Sequence, residues 1–84
     1  MPSLDWRGVK FFAYPHEPRQ VHGFVGGIGG PEVIVSLADD GAVGLADRDD
    51  ALQGASRGEV RKVLSAAAQC YSDLLDLWEA MHLG

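Results

Sequence analysis

Hydrophobic residues alternate with polar ones through much of the first half of the chain and recur every three to four positions through the last third. A change of period from two to 3.6 marks the passage from strands to helix. Val9 to Tyr14 is rich in β-branched and aromatic residues and stops at Pro15, which predicts a strand over about 9–14. Val9, Phe11 and Ala13 then share one face, and Lys10, Phe12 and Tyr14 the other. A second, weaker strand is expected over 21–25, with His22 and Phe24 on one face. A third over 32–37 places Val33, Val35 and Leu37 together, and a fourth over 42–46 carries Val43 and Leu45. Asp40-Gly41 predicts a tight turn with positive φ between the last two. The run Gly26-Gly-Ile-Gly-Gly-Pro31 lacks the Lys-Ser/Thr of a phosphate-binding loop and precedes a strand rather than a helix. It reads as a flexible hairpin connection. Residues 47–55 show no periodicity and read as a loop.

Ser56-Arg-Gly-Glu59 has the form of a capping box, in which Ser and Glu side chains each satisfy the other's backbone amide. Val60, Leu64, Ala67, Tyr71, Leu74, Trp78 and Met81 follow at steps of three and four, widened by Val63, Cys70 and Leu77. One long helix over about 57–82 is expected. The width of its stripe suits packing across a sheet better than a coiled-coil seam. The expected fold is α+β: a small antiparallel sheet of three to four strands packed by one C-terminal helix. Phe12, Tyr14, Phe24 and Ile34 would remain on the uncovered sheet face. An apolar patch there predicts an interface, in a homodimer or with a protein partner.

With 84 residues the chain has room for one domain. Such a domain buries only about 60–65% of its unfolded surface, which leaves it marginally stable without a partner. The lone Cys70 excludes an intramolecular disulfide and fits a reducing compartment. No basic-then-apolar leader is present, and no apolar run reaches the roughly 18–20 residues that cross a bilayer. A cytoplasmic protein with no membrane partner is expected. The net charge of −5 is uneven: +1 over residues 1–30, −5 over 31–56 and −1 over 57–84. This argues against nucleic-acid binding by the whole surface, while a local basic patch could still hold phosphate. The acidic stretch is either a solvated loop or a mimic of nucleic acid.

The polar, proline-studded segment Tyr14 to His22 gathers His16, Glu17, Arg19 and His22 between two strands. Histidine titrates near neutrality, so His16 and His22, with Glu17 as a substitute, could form an acid–base pair for metal-independent cleavage of RNA. Arg19 would hold the phosphate. The plainer reading makes His22 a half-buried strand residue beside Phe24 and His16 a solvated turn residue. The histidine spacing matches no zinc pattern, and no metal or cofactor is expected. Cys70 lies on the apolar side of the helix and is a poor nucleophile. Arg57, Arg61 and Lys62 crowd the helix start, while Asp73, Asp76 and Glu79 fill its later turns, the reverse of what the helix dipole favours. They form either a phosphate- or partner-binding group or a tolerated surface. Trp6 and Trp78 read as core or interface anchors.

Several short patterns occur together: Gly8-Val-Lys-Phe-Phe, Tyr14-Pro-His-Glu-Pro, Gln20-Val-His22, Glu59-Val-Arg-Lys-Val-Leu64, and Leu74-Leu-Asp-Leu-Trp78-Glu-Ala-Met-His82. Their order along nearly the whole chain resembles the small bacterial family called "domain of unknown function 4160". In that family a Pro-Pro-His-x-His core recurs. Here His22 matches its second histidine, Gln20 stands for the first, and Pro18-Arg19 replaces Pro-Pro. The resemblance implies the toxin-like member of a two-gene toxin–antitoxin module, with the product of an adjacent gene as partner. Three expectations follow: a small interaction protein; a ribonuclease using His22 with His16 or Glu17, and Arg19, Arg57 or Arg61 on phosphate; or an acidic inhibitor whose residues 39–50 imitate nucleic acid.

Overall fold

The computed structural model describes residues 3–83. It has the expected α+β architecture, with more strands than the alternation predicts. Strands β1 (Ser3–Trp6), β2 (Val9–Phe12), β3 (Gln20–Val25), β4 (Glu32–Leu37) and β5 (Val43–Leu45) form an antiparallel meander in chain order. The short β6 (Leu52–Gln53) also pairs with β4. Because β3 runs along one edge of β4, β5 and β6 share the other.

The added first strand follows from a turn. Trp6 pairs with Val9, which leaves Arg7-Gly8 as a two-residue hairpin loop. Both residues have positive φ, 49° and 83°, as the twist of a tight hairpin demands. Glycine adopts this freely, whereas Arg7 does so at a steric cost. The expected tight turn at Asp40-Gly41 is a longer connection over 38–42, in which Gly41 has positive φ and the Ala42 amide donates to Asp40. The glycine-rich run does join β3 to β4 as a hairpin.

The helix is divided in two. Helix α1 (Arg57–Gln69) opens at the Ser56–Glu59 capping box, and α2 (Tyr71–Leu83) follows a kink at Cys70, where φ is −115° and ψ is 30°. The Cys70 amide and thiol both donate to the Ala66 carbonyl, each at 3.1 Å. A side-chain donor joining the backbone ladder is a recognised source of bending. With no proline or glycine nearby, the hydrophobic period gives no sign of it. The kink lets α1 lie over β3, β4 and β5 while α2 reaches β1 and β3.

The core lies between these helices and one sheet face. Val9, Phe11, Ala13, Val21, Val33 and Val35 meet Val63, Ala67, Cys70 and Leu74, all buried. The residues expected only to widen the helical stripe, Val63, Cys70 and Leu77, are part of its buried centre. Val60, Leu64, Tyr71, Trp78 and Met81 pack at its margins.

Gly23 marks the closest approach of helix to sheet. A Cβ there would lie 2.8 Å from Val63 Cγ1 and 3.0 Å from Phe11 Cε1.

The opposite face carries the row Phe12–His22–Ile34. Ile34 is not exposed as expected. The chain leaves the sheet edge after Leu45 and returns at Leu52, and the intervening excursion covers Ile34. The Ala46 amide donates to the Ile34 carbonyl at 3.0 Å, and the Ile34 amide to the Ala51 carbonyl at 2.8 Å. Phe12, Tyr14 and Phe24 remain partly exposed, with Phe12 and Phe24 edge to face at 5.9 Å. Among the described residues no helix is long and apolar enough to cross a membrane.

The Gly23→Ala substitution should destabilise the fold by about 1–3 kcal/mol, the usual cost of overpacking a filled core. Urea unfolding followed by circular dichroism measures it. A midpoint equal to that of the parent protein would contradict this packing.

Candidate functional site

His22 sits in the middle of the outer sheet face, between Phe12 and Ile34 in register, and is buried. Both ring nitrogens are engaged. Nδ1 lies 2.6 Å from Glu32 Oε2, and Nε2 lies 2.6 Å from Glu17 Oε1. Glu32 is supplied by the start of β4, where it pairs with Phe24, two pairs along from His22–Ile34 and so on the same face. Glu17 is supplied by the turn before β3. The Tyr14 ring meets the His22 ring in a T-shaped arrangement, with centroids 4.6 Å apart.

The chain of charges continues outward. Arg48, at the tip of the excursion after β5, donates from Nη1 to Glu17 Oε2 at 2.8 Å and to Gln20 Oε1 at 3.1 Å. Its Nη2 donates to Asp50 Oδ2 at 2.7 Å, and its Nε to the other oxygen of Asp50. The result is an alternating line, Glu32–His22–Glu17–Arg48–Asp50. Burial pushes the Glu17 carboxyl up, but hydrogen bonds from Arg48 and His22 outweigh it and hold the group below its ordinary range. The Asp50 carboxylate and then Glu17 raise Arg48, and Arg48 in turn lowers Asp50.

The Glu17 turn is fixed from the other end of the chain. Trp78 Nε1 donates to the Pro18 carbonyl at 2.8 Å. The His82 ring places Nε2 2.7 Å from the Glu17 carbonyl oxygen and Nδ1 2.9 Å from that of Trp78, and stacks on the Trp78 indole at 3.8 Å. The Arg19 guanidinium lies over the same indole, 5.6 Å from its centroid, and pairs with Asp39. Two ring donors on consecutive carbonyls thus present the Glu17 side chain to His22.

The expected site residues separate into groups. His22 and Glu17 meet directly. His16 is exposed and outside the line of charges, its ring 6.2 Å from that of Tyr14. Arg19 is engaged with Asp39 and Trp78. Arg57, Arg61 and Lys62 are exposed on α1, which covers the opposite face of the sheet from His22. The cationic group at the helix start and the histidines therefore do not converge. Burial raises the Cys70 thiol, in keeping with an inert core residue.

Glu32, Arg48 and Asp50 are the members that local sequence reading missed. Arg48 is the only cation of residues 31–56, an isolated opposite charge that could have drawn notice. Tyr14, Glu17, Pro18, His22, Trp78 and His82, drawn from three of the short patterns noted above, gather around this one place.

Among the described residues no group of three or more His, Cys, Asp or Glu side chains is arranged to hold a metal ion. An open depression of about 340 Å³ lies at Asp5, Gly8, Lys10, Gly26 and Gly27, none of them in the line of charges. No protein-family model, curated protein or solved structure matches the chain.

Removing the imidazole takes from Glu32 its ring partner, and from Glu17 one of its two partners, in a largely buried setting. His22→Ala should cost about 3–5 kcal/mol, against no more than about 0.5 kcal/mol for the exposed His16→Ala. Chemical denaturation of both variants gives the comparison, and equal losses would contradict a structural His22.

The Glu17 carboxyl binds its proton more weakly in the folded than in the unfolded chain. Its contribution is therefore complete above its ordinary value of 4.5 and is lost as pH falls below that toward the folded value. Thermal melts should show stability declining through this acid range, with a shallower decline in Glu17→Gln. An unchanged slope in that variant would contradict the assignment.

Proposed function

We propose that this chain is a small protein-binding module, the toxin-like component of a two-gene toxin–antitoxin pair, acting in the cytoplasm by contact with its partner protein. The observation that carries the binding reading is the state of His22. An acid or base must present a nitrogen to its substrate, and both nitrogens of His22 are spent on Glu17 and Glu32 inside the protein. What the outer face offers to solvent is aromatic: Phe12, Tyr14 and Phe24 stand partly exposed beside the closed line of charges. Rigid aromatic rings on a preformed sheet are the groups that anchor protein interfaces. The toxin–antitoxin assignment rests on the resemblance, and the gathering of its patterned residues around the Glu17 turn supports it. The ribonuclease alternative is left with His16 as its exposed histidine. The mimicry alternative loses part of its charge, since Asp39 and Asp50 are neutralised by Arg19 and Arg48.

Co-expression with the product of the adjacent small gene should give a complex that purifies together. Phe24→Lys should weaken it by about 2 kcal/mol or more, the loss typical of a central aromatic anchor, while leaving the circular dichroism unchanged. Absence of any complex, or one indifferent to both Phe24→Lys and Phe12→Lys, would refute this reading. RNA cleavage by the purified protein that disappears in His16→Ala would replace it with the nuclease.

A further inference from the structure

Two cations of this acidic chain meet at a place where no carboxylate neutralises them. Arg7, in the turn between β1 and β2, holds φ at 49°, which costs any side chain sterically. Lys62, on the second turn of α1, reaches the same turn, since a Cβ on Gly8 would lie 3.4 Å from its Nζ. Both line a depression of about 210 Å³ together with Ser65, Ala66 and Gln69. Among the described residues neither cation forms an ion pair. Like charges gathered at one place repel, and nothing in the lining offsets this. The larger depression beside it differs, because its Asp5 and Lys10 pair with each other at 3.1 Å.

The polar lining is set to donate. Trp6 Nε1 donates to Gln69 Oε1 at 3.3 Å, and Gln69 Nε2 donates to Ser65 Oγ at 3.2 Å. An indole N–H can only donate, so Trp6 fixes which end of the Gln69 amide faces Ser65. The Ser65 oxygen is thus occupied as an acceptor, while its hydrogen meets no acceptor among the described residues. The Arg7 guanidinium lies 6.0 Å from the centroid of the same indole. Trp6 therefore bears on both sides of the depression, and Ala66, which is buried, adds only a methyl group. A guanidinium, an ammonium and a hydroxyl hydrogen converge from one hairpin turn and two successive turns of one helix.

We propose that this depression binds a single phosphate group, either free or at the end of a small phosphomonoester. Arg7 and Lys62 supply charge-assisted hydrogen bonds, and the Ser65 hydroxyl supplies a third donor. A phosphate presents three strong acceptor oxygens to such a set, whereas a carboxylate presents two in one plane. The volume lies below the roughly 300–1,000 Å³ of sites that enclose drug-sized ligands, so the group held is small. A net charge of −5 opposes a polyanion such as RNA. Arg57 and Arg61, neighbours of Lys62 in sequence, do not line the depression. The site is separate from the His22 network and does not depend on the toxin–antitoxin reading.

Titration of the isotope-labelled protein with inorganic phosphate, at constant ionic strength against chloride, tests it by nuclear magnetic resonance. Saturable shifts should be confined to residues 7–8 and 62–69, and chloride alone should not produce them. Arg7→Gly should raise the dissociation constant about tenfold, the loss of one charge-assisted hydrogen bond. Its urea midpoint should be at or above that of the parent, because glycine adopts positive φ freely. Loss of binding is thereby separated from loss of fold. Lys62→Gln should weaken binding similarly, while Arg57→Gln, which removes the same charge outside the depression, should not. Adenosine monophosphate in place of phosphate distinguishes the two sources: tighter binding assigns the site to an ester, weaker binding to the free ion. Adenosine itself should leave these residues unmoved, and shifts with adenosine equal to those with its monophosphate would overturn the proposal. No saturable shift would also overturn it. So would shifts spread equally over Arg57 and Arg61, or a dissociation constant indifferent to Arg7→Gly and Lys62→Gln, either of which would mean an adventitious ion only.

Discussion

One imidazole buried in the middle of a sheet face sets the conditions for much of the outer half of this molecule. Polar groups without partners are costly in such a place, and His22 has two nitrogens to satisfy. Glu32 answers one and Glu17 the other. Glu17 is itself drawn out of water and leans on Arg48, whose fork of donors is completed by Gln20 and Asp50. Each member creates a need that the next one meets. The line ends only where Asp50 reaches solvent. The excursion that delivers Arg48 also lays Ala46 and Ala51 against Ile34, so apolar burial on this face and the polar network arise from the same path of the chain.

The two faces of the sheet are therefore held by different physics. On the helix side, close packing of branched side chains around Gly23 leaves little room and no polar group to satisfy. On the outer side, a few charge-assisted hydrogen bonds fasten two loops. Helix α2 links the sides, for it buries Leu74 and Leu77 on the core and holds the Glu17 turn through Trp78 and His82. A domain of this size has a small core, and a network that ties the turn before β3, the start of β4 and the last helix together adds order where apolar area is limited.

The parts of the fold that follow from local pattern were legible in the sequence. The alternation placed Val9, Phe11 and Ala13 on the buried side, and the Ser56–Glu59 box opens the helix as read. Strand β1 alternates over Ser3–Trp6 but is short, and its turn depends on Arg7 adopting a conformation that arginine seldom takes. The kink at Cys70 comes from a thiol sharing a carbonyl, which no hydrophobic period encodes. Ile34 was assigned to the correct face, yet its exposure depended on where residues 46–51 travel. The site divides in the same way. His22 and Glu17 are five residues apart and could be grouped by eye. Glu32 and Arg48 reach them through strand register and loop path, which are properties of the assembled sheet.

The stack of His82 on Trp78 gives the protein an optical reporter of its own. Indole emission is sensitive to an imidazole held against its face, and the only other indole, Trp6, lies elsewhere, with its Nε1 donating to Gln69. Trp78 also donates to the turn that presents Glu17. Seating and release of that turn are thereby coupled to the environment of a single chromophore. Its quantum yield and emission maximum register, without any attached dye, whether the outer face is closed.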